Sequence, residues 1–252
     1  MVRELSVRAV PGIPLVIEGS DLGMLIHEAA KTEGYSVHDN DVLVVAQKIV
    51  SKAEGATVNL AQIVPTKHAR QLAEQTGRDA RLCQVYLDES TEVILVKGKT
   101  VVTRHRLGFI GSGSGVDRSN VALHNKEIVV LLPRDPDASA RKIRQTIFEK
   151  TGAKVAVIIN DSMGRSDREG SVGMAIGIAG IRHVENRSQR DLFDNPSNST
   201  IALVDELAAT ASLLMGQADE SIPVVIIRGM NFTQDDDASI QNLLITQTKK
   251  EG

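Results

Sequence analysis

The sequence predicts an α+β fold of mixed sheets with interspersed helices, and two observations carry that prediction. Apolar runs of strand length alternate with stretches of helical periodicity. Several strand-like segments also follow one another through short turns, without a helix between them. No Pro/Gly/Ser-rich linker, internal repeat or low-complexity tract interrupts the pattern, so residues 1–252 read as a single domain.

Taken in order, residues 1–7 read as a first strand. Residues 20–33 read as a helix, with Ser20 as its cap, Leu22, Leu25, Ile26, Ala29 and Ala30 on one face, and Gly34 at its end. Asp39, Asn40 and Asp41 turn the chain into a buried strand at 42–46. Helices follow at 66–75, closed by Gly77, and at 79–87. Residues 92–96 and 100–103 form a hairpin through Lys97, Gly98 and Lys99. A strand at 125–132 leads to a helix at 136–150 with Ile143 and Ile147 on one side, closed by Gly152. The strand at 154–160 delivers Asp161; an Ala- and Leu-rich helix at 201–215 precedes a strand at 223–228. Asp235, Asp236 and Asp237 read as a helix N-terminus ahead of Ile240, Leu243 and Leu244, complementing the dipole. The final residues, 246–252, read as a frayed tail.

Composition narrows the functional classes. Four Phe, two Tyr and no Trp leave few rings on which the bases of a single-stranded nucleic acid could stack. A net charge of −3 with interspersed signs advertises no surface for a polyanion. The single cysteine, Cys83, excludes an internal disulfide and a multi-cysteine metal site, and its flanks place it in a buried helix as an inert thiol. No apolar run reaches the ~18–20 residues of a membrane helix, and the N-terminus lacks a secretory core. A cytoplasmic location is the expectation. The six histidines are scattered with no pair at zinc spacing, and no Gly-x-Ser-x-Gly elbow is present.

Four segments place glycines and polar residues beside apolar strands, where sites usually form. Pro11-Gly12-Ile13-Pro14-Leu15 is a stiff turn that also reads as purely structural. Gln47 to Gly55 carries Lys48 and Lys52, point charges suited to phosphate oxygens or to a solvated basic turn. Gly108 to Asn120 is glycine-rich but neither a Walker loop nor a dinucleotide fingerprint, and its Asp117 and Asn120 could face one ligand. The strongest is Asn160 to Gly170: an acid and a hydroxyl at the end of a buried strand suit a hard cation, and Arg165 and Arg168 suit bidentate recognition of carboxylate or phosphate. The series Gly170, Gly173, Gly177 and Gly180 that follows reads as functional rather than as packing.

These segments, with Asp205-Glu206-Leu207-Ala208 and Met215-Gly216-Gln217-Ala218, resemble in order and over nearly the whole chain the coenzyme F420-0:L-glutamate ligase family, also called F420:γ-glutamyl ligases. The matching stretches are Gly12 to Leu15, Asp41 to Gly55, Gly115 to Val121, Asp161 to Gly170, and Ala175-Ile176-Gly177. The resemblance implies GTP-dependent addition of L-glutamate to coenzyme F420-0, then of further γ-linked glutamates, through an acyl phosphate with release of GDP and phosphate. It implies an α+β fold particular to that ligase family, an intertwined homodimer, two divalent ions (Mg²⁺ or Mn²⁺) and K⁺.

By the same resemblance Asp117 and Asp161 hold one divalent ion, while Ser162 and Gln217 help hold the second. Gly12, Ile13, Pro14, Leu15, Gln47, Lys48, Lys52 and Asn120 bind GTP together with Met215, Gly216, Gln217, Ala218, Asp219, Glu220, Ser221 and Ile222. Lys52 is read as the catalytic phosphate lysine, and Arg165 and Arg168 as a clamp on substrate carboxylate or phosphate. The sequence departs from the family's pattern at Phe109 to Ser114, and at Ser166-Asp167, where a Pro-Trp pair is usual. Two other readings compete: a diverged homologue joining another amine to another phosphorylated acid, and a nucleotide-binding protein without turnover.

Overall fold

The structure is a computed structural model that describes residues 4–121, 127–165 and 168–245. Its centre is a five-stranded sheet. The first strand, β1 (Ser6–Ala9), leads through an irregular segment to helix α1 (Leu22–Thr32), then to β2 (Val42–Ala46) and directly into helix α2 (Gln47–Ala53). A short strand β3 (Thr57–Asn59) precedes helices α3 (Lys67–Thr76) and α4 (Ala80–Asp88), which lead into β4 (Ser90–Lys97), β5 (Thr100–His105) and β6 (Ile110–Ser112). Then come β7 (Ile128–Val130), α5 (Pro136–Thr151), β8 (Ala156–Arg165), β9 (Arg168–Ala179), β10 (Glu185–Arg190), β11 (Pro196–Ile201), α6 (Leu203–Met215) and β12 (Val224–Arg228).

The central sheet has the order β1-β12-β2-β8-β9, with β2 and β8 parallel and the other neighbours antiparallel. Val42 to Val45, Ala156 to Ile159 and Val224 to Ile227 are each wholly buried, as strands covered on both faces must be. This explains why they read as unbroken apolar runs. Small sheets pair β3 with β7, β5 with β4 on one side and β6 on the other, and β10 with β11. A second apolar cluster, built from Leu60, Leu72, Leu82, Cys83, Val85, Tyr86, Val101 and Val129, is separate from the one around the large sheet. The fold is thus mixed α/β, with several small sheets beside a central one.

Capping chemistry sets most helix bounds. Thr66 and Asp79 accept from the N–H groups of Ala69 and Arg81 and start α3 and α4. Gly77 and Gly152 close α3 and α5 in the left-handed conformation. Other expectations need correction. The cap of α1 is Asp21, whose carboxylate accepts from the Met24 N–H, whereas Ser20 accepts from the N–H of Ile17 outside the helix. The acidic triplet starts no α-helix: only a 3₁₀ turn forms at Ile240–Asn242, capped by Ser239, and Asp236 pairs with Arg144 at 2.8 Å. The strand expected at 125–132 is present at β7, residues 125 and 126 lying outside the described residues, as do 246–252.

The sequence pattern announces neither α2 nor β9, and it is equally silent on β3, β6, β10 and β11. Gln47 to Ala53 is helical, not a turn, because β2 hands its chain over without an intervening loop. Gly170, Gly173 and Gly177 belong to strand β9, and the last two allow helices to approach. A Cβ on Gly177 would lie 2.6 Å from the Pro136 carbonyl carbon of α5, and one on Gly173 would lie 2.7 Å from the Ala208 carbonyl oxygen of α6. Those two glycines are therefore packing residues.

Candidate active site

Four segments converge where β2 ends and its parallel pairing with β8 stops, at Ala46↔Asn160, the edge at which parallel strands commonly deliver ligand groups. From α2, Lys48 and Lys52 lie one helical turn apart and share a face. Lys48 Nζ is 2.7 Å from Asp117 Oδ2 and donates to the Ser119 carbonyl at 2.9 Å. Lys52 Nζ donates to the Asn120 carbonyl at 2.7 Å. Burial, then the like charge of Lys48, lowers the Lys52 pKa below the ordinary lysine value, while Asp117 acts in the opposite sense.

The loop after β6 is shaped by its own side chains. Asp117 Oδ1 accepts from the Ser119 N–H at 2.8 Å and from the Ser119 hydroxyl at 2.9 Å. Burial acts to raise the Asp117 carboxyl, but the Lys48 ammonium and the Ser119 donors outweigh it and hold the pKa below the usual carboxylate value. Asn120 has a positive φ of 52°, and its Nδ2 donates to the Ala218 carbonyl at 2.6 Å. This ties the loop to the chain beyond α6.

Strand β8 contributes Asp161 and Ser162. Burial, with the negative charge of Asp117 adding to it, pushes the Asp161 carboxyl up to about 6, against the Ser162 N–H and Lys48. The Ser162 hydroxyl donates to Gln217 Oε1 at 2.8 Å. In the segment after α6, Gly216 has a positive φ of 68°, and a side chain there would collide with the Glu220 carboxylate. That carboxylate accepts from the Ala218 N–H at 2.8 Å, which lowers its pKa.

The structure therefore brings together Lys48, Lys52, Asp117, Asn120, Asp161, Ser162, Gln217 and Ala218. The rest of the predicted set lies differently. Gln47 is buried, and its amide nitrogen is committed to Ser51 Oγ at 2.7 Å and the Leu131 carbonyl at 3.0 Å. Gly12 has a positive φ of 78° in the irregular stretch after β1; Ile13 packs on the main core, and Leu15 is 82% exposed. Met215 ends α6, and Asp219, Glu220 and Ser221 are exposed in the loop that Ile222 closes. Arg165 and Arg168 are backbone partners at the last pair of the β8–β9 ladder, and Ser166 and Asp167 lie outside the described residues. Ser119 and Asn160 emerge as site residues that motif reading passed over; a hydroxyl two residues after an aspartate is the one local signal for Ser119.

Two carboxylates, two lysines, a hydroxyl and two amides thus lie together beside a parallel strand pair. Among the described residues, no group of three or more His, Cys, Asp or Glu side chains is placed to hold a metal. Residues 12–229 match the sequence model of the F420-0:Gamma-glutamyl ligase family. The chain is 45% identical over 227 residues, 89% of each chain, to the coenzyme F420:L-glutamate ligase of Methanothermobacter thermautotrophicus. It is 44% identical over 199 residues, 78% of each, to that of Methanocaldococcus jannaschii. With that of Methanopyrus kandleri the identity is 43% over 228 residues, 90% of this chain and 87% of the relative. The chain belongs to the F420-0:gamma-glutamyl ligase family.

Proposed function

We propose that this protein is a GTP-dependent ligase that joins L-glutamate to coenzyme F420-0 and then adds γ-linked glutamates, releasing GDP and phosphate. The supporting observation is the convergence of Lys48, Asp117, Asp161 and the Gln217–Ala218 segment on one strand rim, in a chain 45% identical to a ligase named for glutamate and F420.

A free carboxylate is a poor acyl donor, and the reaction overcomes this in two displacements. A carboxylate oxygen of F420-0 attacks the γ-phosphorus, GDP leaves, and an acyl phosphate results. The glutamate amine then attacks the acyl carbon, phosphate leaves, and the amine proton passes to solvent or base. Positioning and charge neutralisation carry most of such a barrier reduction. Lys48 and Lys52 would meet phosphate oxygens by exchanging the loop carbonyls they now hold, and Asn120 and Gly216 to Ile222 would cradle the nucleotide.

The donor set fits divalent cations. Asp117, Asp161, Ser162 and Gln217 offer hard oxygen ligands, and desolvation and the charge of Asp117 raise the Asp161 pKa. With so few carboxylates, water and substrate oxygens would complete each ion's shell. Mg²⁺ or Mn²⁺ held there would screen the charge of the phosphate oxygens. K⁺ belongs to the same reading, as does a cytoplasmic location, and nucleic acid and membrane have no part in it. A homodimer does belong to it. Its support is the β10–β11 hairpin, which among the described residues pairs only with itself and carries Leu192 and Phe193 at its tip, 99% and 84% exposed.

The test is to mix protein, Mg²⁺ or Mn²⁺, K⁺, GTP and L-glutamate with and without F420-0, following GDP release and product mass. A mass gain of one glutamate residue that needs both F420-0 and GTP is expected. GDP release with no acceptor-dependent adduct would reject the ligase in favour of a nucleotide-binding or diverged protein.

A further inference from the structure

We propose that Asn160 is a positioning residue of this site, pinning the last turn of α6 to β8 so that the Met215–Ile222 segment is held beside Asp161 and Ser162. The proposal rests on the ligase reading for its kinetic consequence, but its structural content is independent of it.

The register of the β8–β9 ladder shifts between Ile159↔Gly177 and Asn160↔Ala175, leaving Ile176 as an extra residue on β9. Such a bulge re-aims side chains, and bulges concentrate next to active sites. Past it, strand alternation puts Asn160 and Ser162 on the side of α6 and its following loop. Asn160 Nδ2 donates to Ser212 Oγ at 3.1 Å and reaches Met215 Sδ at 3.4 Å. The orientation of the amide is fixed chemically. Ser212 Oγ donates its one proton to the Ala208 carbonyl at 3.1 Å, so toward Asn160 it can only accept.

That orientation has a cost. Asn160 is only 7% exposed, and its Oδ1 has no hydrogen-bond partner among the described residues. Across the sheet, Gly173 leaves no room for a Cβ, which would lie 2.7 Å from both Asn160 Oδ1 and the Ala208 carbonyl oxygen. A buried acceptor without a partner is destabilising, and an apolar residue of equal shape would avoid the cost. What the asparagine supplies is a grip on the end of α6. Two further contacts continue the same seam: Ser162 Oγ to Gln217, and Asn120 Nδ2 to the Ala218 carbonyl. Asn160 thus anchors the segment where it leaves the helix, and the other two hold it beyond.

Asn160→Leu keeps the shape and removes both the orphan acceptor and the donors. Expected are an unchanged or higher thermal midpoint, amide exchange at Leu213, Leu214, Met215 and Gly216 faster by about tenfold, and a KM for GTP raised by about tenfold with a smaller change in kcat. Ser212→Ala, which removes the acceptor with little change in packing, should move exchange and KM in the same direction, and the double variant should add little to either single one. Unchanged exchange at the end of α6 in both variants overturns the proposal. So does a fall in thermal midpoint with exchange raised evenly across the whole chain, the mark of a merely structural residue. If the wild-type protein shows no ligase activity, the functional reading fails, while the exchange comparison still decides the role of Asn160.

Discussion

At Asp161 two physical demands oppose each other. Burial and the charge of Asp117 disfavour its ionised form and raise its pKa to about 6, yet the proposed chemistry needs a carboxylate facing a cation and phosphate. Asp161→Asn keeps the shape and deletes the charge. It should lower kcat by about two orders of magnitude or more while leaving the thermal midpoint unchanged or higher, measured by GDP release and calorimetry. A near-normal rate would remove Asp161 from the mechanism. Residue types at this scale were readable in the chain: Lys48, Lys52, Asp117 and Asp161 stand out beside apolar strands. Their partnerships were not. Gln47 looks as available as Lys48 in the sequence, but its amide nitrogen is spent on Ser51 and Leu131.

Elements divide by how local their causes are. The helices α3, α4 and α5 were legible almost to the residue, because Thr66, Asp79, Gly77 and Gly152 act within one turn. Strand β9 was not, because its glycines answer to helices distant in sequence. Gly177→Ala tests that account. The added methyl would press on the Pro136 backbone at 2.6 Å, and backbone cannot yield as a flexible side chain does. A loss of about 1–3 kcal/mol in urea unfolding is expected; an unchanged midpoint would show that α5 shifts freely. The β10–β11 hairpin was missed for a related reason. Its sequence is polar and most of its residues are exposed, so it lacks the apolar alternation that announces a half-buried strand.

For the whole molecule, an exposed two-stranded hairpin is marginal by itself. If a second copy covers it, replacing both Leu192 and Phe193 by Asp should convert a dimer into a monomer in light scattering after size exclusion, with the secondary structure of the rest retained. An unaltered mass would place any dimer contact elsewhere. Glu89 is one contributor to acid stability. The hydrogen bond from His105 Nε2 lowers the Glu89 pKa, burial opposes it, and Arg106 adds to the lowering. A depressed carboxylate stabilises the fold above its unfolded value of about 4.5, and that contribution fades as pH falls through the lower folded value. Urea midpoints should therefore drop between pH 5 and about pH 3, and Glu89→Gln should flatten part of that slope. An identical slope in the variant would assign the acid sensitivity to other carboxylates.

The sequence by itself determined the mixed class of fold, the positions of the apolar strands, most helix ends and the family, since each follows from local periodicity, capping or ordered motifs. Only the tertiary structure decided which of those groups meet. The sheet order β1-β12-β2-β8-β9 sets β2 and its helix α2 beside β8, and so joins Lys48 to Ser119 across 71 positions, Asn120 to Ala218 across 98 and Ser162 to Gln217 across 55. No local period encodes such distances. They are fixed by burying three apolar strands on both faces, and the polar residues at the strand ends are carried into one site as a result.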